Sequence, residues 1–145
     1  MNNEPMRLFH VTFVFALLLS ACVPAMPAGN SAEHSSSSVA VIEDIVINSP
    51  VAGTVVKSPL TITGNARGTW FFEASFPVRL LDDTGNEIAA THADAAGDWM
   101  TDAFVPFTAT LTFTTAAKTG RLVLQKDNPS GLPENDKIVN IPVKF

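Results

Sequence analysis

The chain has 145 residues, nine of them basic and fourteen acidic, for a formal net charge of −5. That length suits one domain of ordinary size, and the scattered acids argue against nucleic acid or a polybasic membrane contact. A lone cysteine, Cys22, leaves no pair for a disulfide and no thiolate metal site.

Residues 1–21 read as an export signal. Arg7 lies in a short n-region, and the apolar stretch Leu8–Leu19 is twelve residues long. A stable bilayer-spanning helix takes ~20 residues, so this is an h-region, with the small residues Ser20 and Ala21 at the cut. The quartet Leu19-Ser20-Ala21-Cys22 resembles the lipobox of bacterial lipoproteins. The resemblance implies diacylglycerol on the Cys22 thiol, cleavage just before it and acylation of the new amino group. Several acyl chains hold a protein to a membrane where one is marginal. The expected location is the bacterial cell envelope, lipid-anchored. Val23 follows Cys22, not the aspartate associated with inner-membrane retention. That points to the outer membrane if the host has one, and otherwise to the outer face of the plasma membrane. The alternative is an ordinary secretory signal with a stray cysteine.

Residues 22–38 comprise Cys22 and a tether. The stretch Val23–Ser38 is Pro, Ala, Gly and Ser with almost no large apolar residue, too little to build a core. As a flexible coil it would reach about 20 Å.

From Val39 the pattern changes to short β-like runs. Val41–Ile47 is rich in β-branched residues and stops at Asn48-Ser49-Pro50. Leu60–Thr63 alternates apolar and hydroxyl residues. Phe76–Leu81 ends at Asp82-Asp83-Thr84-Gly85-Asn86, a hairpin signal, and Glu87–Ala93 is the return strand. Trp99–Phe104 is predicted as the next strand. In Thr108–Phe113, Ala109, Leu111 and Phe113 face one way and the threonines the other, as in a sheet with one wet face. Arg121–Gln125 and Val139–Phe145 complete the set. Pro142 places the last strand at an edge, or its own nitrogen on a free side. About seven antiparallel strands over residues 39–145 predict an all-β domain, a single immunoglobulin-like β-sandwich, with a small barrel as the rival.

Three stretches carry a family resemblance. They are Ser58–Gly64 with Arg67-Gly68 and Trp70–Val78; Gly97-Asp98-Trp99; and Lys126–Ser130. Together they look like the Gmad immunoglobulin-like domain of bacterial sporulation and spore germination proteins. The resemblance implies an extracytoplasmic sandwich that binds or assembles, with no catalytic residues and no cofactor. It implies a general envelope role, related to sporulation or germination by resemblance only.

Two stretches are candidate binding sites. Trp70, Phe71 and Phe72 form the densest aromatic cluster. Read as a strand, it places Trp70 and Phe72 on one face and Phe71 on the other. Core packing explains such rings, and so does an exposed ring that stacks on a sugar or peptide. The loop Asp127–Asp136 joins the last two predicted strands, and long loops on rigid sandwiches often carry recognition. Its candidates are Asp127, Asn128 and Glu134. The spacing matches no calcium-loop pattern, and hydrogen bonds from Asp127 and Asn128 to the loop backbone are the ordinary account. No motif supports catalysis. Ser75 and His92 lack a nucleophile-elbow sequence, and no metal is expected. The expected function is non-catalytic: binding an envelope protein, with envelope polysaccharide or peptidoglycan as the alternative.

Overall fold

Strands form where apolar side chains recur at every second position. Val105, Phe107, Ala109 and Leu111 are buried while the residues between them are exposed, and Val139, Ile141 and Val143 repeat the pattern. The computed structural model describes residues 40–145. The expected signal peptide, tether and lipidation at Cys22 fall outside the described residues. Eight strands follow in order: β1 (Ala40–Ile42), β2 (Ile45–Ser49), β3 (Leu60–Arg67), β4 (Ser75–Asp82), β5 (Glu87–Ala95), β6 (Phe104–Leu111), β7 (Thr119–Gln125) and β8 (Ile138–Lys144).

The strands hydrogen-bond in the order β1-β2-β3-β6-β5-β4-β7-β8, each pair antiparallel. β5 pairs along β4 from Glu87 to Asp94 but meets β6 only at Asp94 and Ala95. It passes from one layer to the other, as strands do at the corner of a sandwich. Ile45, Ile62 and Leu111 from one half meet Phe76, Leu80, Leu122 and Ile141 from the other in one core. The expected faces of Thr108–Phe113 hold, with Leu111 buried, Phe113 partly buried and the threonines exposed.

β8 ends the strand order, as Pro142 predicts. The Pro142 carbonyl accepts from the Gly53 N–H at 2.7 Å, outside the β7–β8 ladder. A residue's N and C=O point to the same side of an antiparallel strand, so the missing donor faces outward and the ladder loses nothing. The segment between β2 and β3 partly covers this edge, through Val56 N–H to Lys144 O at 2.8 Å and Lys144 N–H to Thr54 O at 2.9 Å.

The β4–β5 hairpin forms where its turn residues predict it. Gly85 takes the left-handed conformation with φ +92°. Asn86 acts through hydrogen bonds instead. Asp82 Oδ1 accepts from the Thr84 hydroxyl at 2.7 Å, the Asn86 N–H at 2.8 Å and the Thr84 N–H at 2.9 Å. These donors, the Thr84 hydroxyl foremost, outweigh a partial desolvation and hold the Asp82 carboxyl at about 2, below the ordinary 3.8.

Three expected strands differ in detail. Val41–Ile47 is broken at Glu43-Asp44, where the Asp44 carbonyl turns to accept from the Arg67 N–H at 2.8 Å. Trp99–Phe104 is not a strand, and β6 begins only at Phe104. Its N–H groups are satisfied locally: Met100 donates to Asp98 Oδ1 at 3.0 Å, Thr101 to the Trp99 carbonyl at 2.8 Å and Ala103 to Thr101 Oγ1 at 3.2 Å. Short polar side chains compete with a ladder in this way. Trp70–Phe72 is likewise no strand, because Gly68–Trp70 forms a 3₁₀ turn.

Candidate functional site

Four connections gather at one end of the sandwich: the Glu43-Asp44 turn, the β3–β4 connection (68–74), the β5–β6 connection (96–103) and the β7–β8 connection (126–137). Hydrogen bonds tie them together. Arg67 N–H donates to the Asp44 carbonyl at 2.8 Å, Gly68 N–H to the Ala103 carbonyl at 3.1 Å and Asp127 N–H to the Trp70 carbonyl at 3.0 Å. Gly68 lets the β3–β4 connection lie close against the β5–β6 connection. A Cβ there would run into the carbonyls of Trp99 and Thr101.

The structure divides the aromatic block. Trp70 is 1% exposed and Phe71 5%, and both rings pack on Phe76, at centroid distances of 5.7 and 5.2 Å. Phe72 is exposed. The expectation that Trp70 and Phe72 share a face is therefore corrected. After the 3₁₀ turn, Phe72 and Ser75 exchange backbone hydrogen bonds of 3.0 and 3.1 Å around Glu73 and Ala74, whose φ are +50° and +64°. Two successive residues in the left-handed region make a tight hairpin turn normally built from Gly or Asn. Here each non-glycine residue costs on the order of 1 kcal/mol. The Ala95 N–H, donating to the Ala74 carbonyl at 2.8 Å, helps hold it.

In the β7–β8 connection, Asn128 organises the loop, as its ordinary reading anticipates. Its Nδ2 donates to the Leu132 carbonyl at 2.9 Å and to Asp136 Oδ1 at 2.8 Å, and its Oδ1 accepts from the Ser130 hydroxyl. Asp127 contributes its backbone N–H to the Trp70 contact. Glu134 is exposed, within a second 3₁₀ turn at Pro133–Asn135.

Other residues here carry no obvious sequence signal. Of the six large apolar side chains exposed among the described residues, five lie in or beside these connections: Phe72, Met100, Phe104, Leu132 and Ile138. The sixth, Val55, lies in the β2–β3 connection at the other end. The Arg67 guanidinium sits 4.3 Å from the Phe104 ring centroid and donates to the Asp102 carbonyl at 3.0 Å. A recess of about 320 Å³ opens between Phe71, Trp99 and Met100 over Gly68. A second, of about 280 Å³, lies between Asp44, Trp70, Lys137 and Ile138. Trp70 Nε1 is the one buried side-chain nitrogen or oxygen among the described residues with no hydrogen-bond partner. Leaving such a donor unpaired costs about 1–3 kcal/mol.

Residues 44–131 match the family model Gmad2, the immunoglobulin-like domain of bacterial spore germination. The chain belongs to this family. The match covers most of the described residues, and the all-β sandwich is therefore immunoglobulin-like, as the sequence resemblance implies. The comparisons with curated proteins and with solved structures give no match. The Gmad2 match ends at Gly131, inside the β7–β8 connection, so the remainder of that loop and β8 are described here by the structure alone.

Proposed function

We propose that this Gmad2 domain is a non-catalytic interaction module, held at the bacterial envelope by lipid on Cys22, that engages a protein partner with the loop end of its sandwich. The observation that carries the reading is the placement of exposed apolar side chains. Five of six lie at the end where the long connections meet. Large exposed apolar groups of this kind, set among charges, mark interaction surfaces. Ala40 lies opposite Ile47, so the chain enters the sheet from the end away from these loops.

A glycan partner would draw on the exposed rings of Phe72 and Phe104. Trp70 and Phe71 are committed to the core, and Arg67 lies over Phe104, which leaves little free aromatic platform. The protein reading is therefore preferred.

Site-specific photo-crosslinking in cells tests it. A photoreactive residue at Met100 or Leu132 is expected to trap a protein partner, and the same residue at Val55 is expected to trap none. Equal trapping at Val55, or none at the loop end, would overturn the reading. The anchor is tested separately by fatty-acid labelling, where Cys22→Ser should abolish incorporation. Equal labelling of both proteins would remove the lipid from the proposal.

A further inference from the structure

The four connections at the loop end carry eight acidic residues against two lysines, Lys126 and Lys137. The three connections at the opposite end carry one acid, Asp83, against Lys57 and Lys118. The apolar side chains of the loop end are thus set in a negative field, which attracts and orients a basic partner.

One recess combines these properties. It lies between Glu43, Asp44, Trp70, Lys137, Ile138 and Val139. Ile138 is half exposed at its rim, and Val139 is buried. Lys137 Nζ pairs with Asp44 Oδ2, both side chains being in contact with solvent. An exposed pair of this kind is weak and readily exchanged. Trp70, itself buried, lines the recess and keeps an indole N–H to which folding supplies no acceptor. Acidic side chains, an exchangeable internal ammonium and an apolar rim are together complementary to a basic, apolar peptide.

We propose that this recess seats a basic, apolar peptide segment of the protein partner. A lysine or arginine of that segment pairs with Glu43 and Asp44 in place of Lys137. An apolar side chain lies on Ile138. Lys137 is then an internal stand-in for the partner's cation. The inference rests on the interaction-module reading and names the chemistry of its partner.

Titration of the full chain with a lysine–leucine octapeptide of alternating sequence tests it, with a glutamate–leucine octapeptide as control. Tryptophan fluorescence reports on the indole environment. The lysine–leucine peptide is expected to bind, with a shift in emission, and the glutamate–leucine peptide is not. Asp44→Asn should weaken binding about tenfold. Lys137→Gln should strengthen it several-fold, because it frees Asp44. Lys126→Gln makes the same change in charge at the same end without touching Asp44, and should leave affinity nearly unaltered. Thermal melts establish that each variant is folded. Equal gains from Lys137→Gln and Lys126→Gln would reduce the effect to general charge attraction and overturn the proposal. So would no binding, binding of both peptides, or weaker binding by Lys137→Gln. If crosslinking at Met100 and Leu132 succeeds while these variants change nothing, the module reading stands and the recess proposal alone fails.

Discussion

The backbone N–H of Asp127 donates to the carbonyl of Trp70 at 3.0 Å. This bond joins the base of the β7–β8 connection to the aromatic block. The two candidate sites that look separate in the sequence are therefore neighbours at one end of the sandwich. A variant that disturbs one will be felt at the other, so the two cannot be tested as independent rivals.

Asn128 should control the order of its loop more than the stability of the domain. It bonds Leu132, Asp136 and Ser130, all exposed. Asn128→Ala is expected to speed amide hydrogen exchange at Gly131 and Leu132 while moving the thermal midpoint by only a degree or two, an order-of-magnitude figure for an exposed loop. A large drop in midpoint would mean that the loop supports the core.

The core prediction follows from alternation on β6. Leu111 is 1% exposed and Thr110 is on the wet face. Leu111→Ala should cost about 2–5 kcal/mol, by lost burial plus a cavity, and Thr110→Ala less than about 1 kcal/mol. Chemical denaturation of the two variants is the measurement, and similar losses would contradict the assigned faces.

Strands were legible where their signal is local. The Thr108–Phe113 alternation and the Asp82–Asn86 turn each declare themselves within a few residues. Trp99–Phe104 misleads because Asp98 and Thr101 divert its backbone donors, and composition does not reveal that diversion. The turn at Glu73-Ala74 has the left-handed backbone of a glycine turn without a glycine or asparagine, so nothing announces it. The Asp127–Trp70 bond and the Lys137–Asp44 pair join residues remote in sequence, and only the folded topology brings them together.

Trp70 offers a test of its unpaired donor. Trp70→Phe removes the N–H but keeps a ring against Phe76, whereas Trp70→Ala empties the site. The alanine variant should lose about 3–5 kcal/mol. The phenylalanine variant should lose much less, because relief of the orphaned donor offsets part of the lost packing. Equal losses in urea denaturation would mean that the indole N–H has a partner in solution.

Asp82 predicts a pH dependence with a definite sign. Its folded value, about 2, lies below the ordinary 3.8. A depressed carboxylate contributes stability that is present above 3.8 and is lost as pH falls toward 2. Carboxyl-carbon NMR should find Asp82 titrating well below 3.8. Thr84→Ala removes the foremost donor and should move that titration upward. An unchanged midpoint would assign the shift to the backbone donors and the Asn86 side chain instead.

Gly68 and Gly97 separate close approach from mere loop composition. Gly97 lies within the connection that holds Trp99, Gly68 packs against it, and neither adopts the left-handed conformation. At Gly97 an added Cβ would meet nothing within 4 Å, while at Gly68 it would strike the carbonyls of Trp99 and Thr101. Those atoms are backbone, so they cannot swing aside as a flexible side chain would. Gly97→Ala should therefore change stability by no more than about 0.5 kcal/mol. Gly68→Ala must push the 99–101 segment off the end of β3, at an expected cost of about 1–3 kcal/mol for overpacking. The same displacement would disturb the Gly68–Ala103 hydrogen bond and the recess beside Phe71, so Trp99 emission should shift toward that of a solvated indole. If the two variants melt together and their fluorescence is unchanged, the β5–β6 connection does not rest on Gly68 in solution.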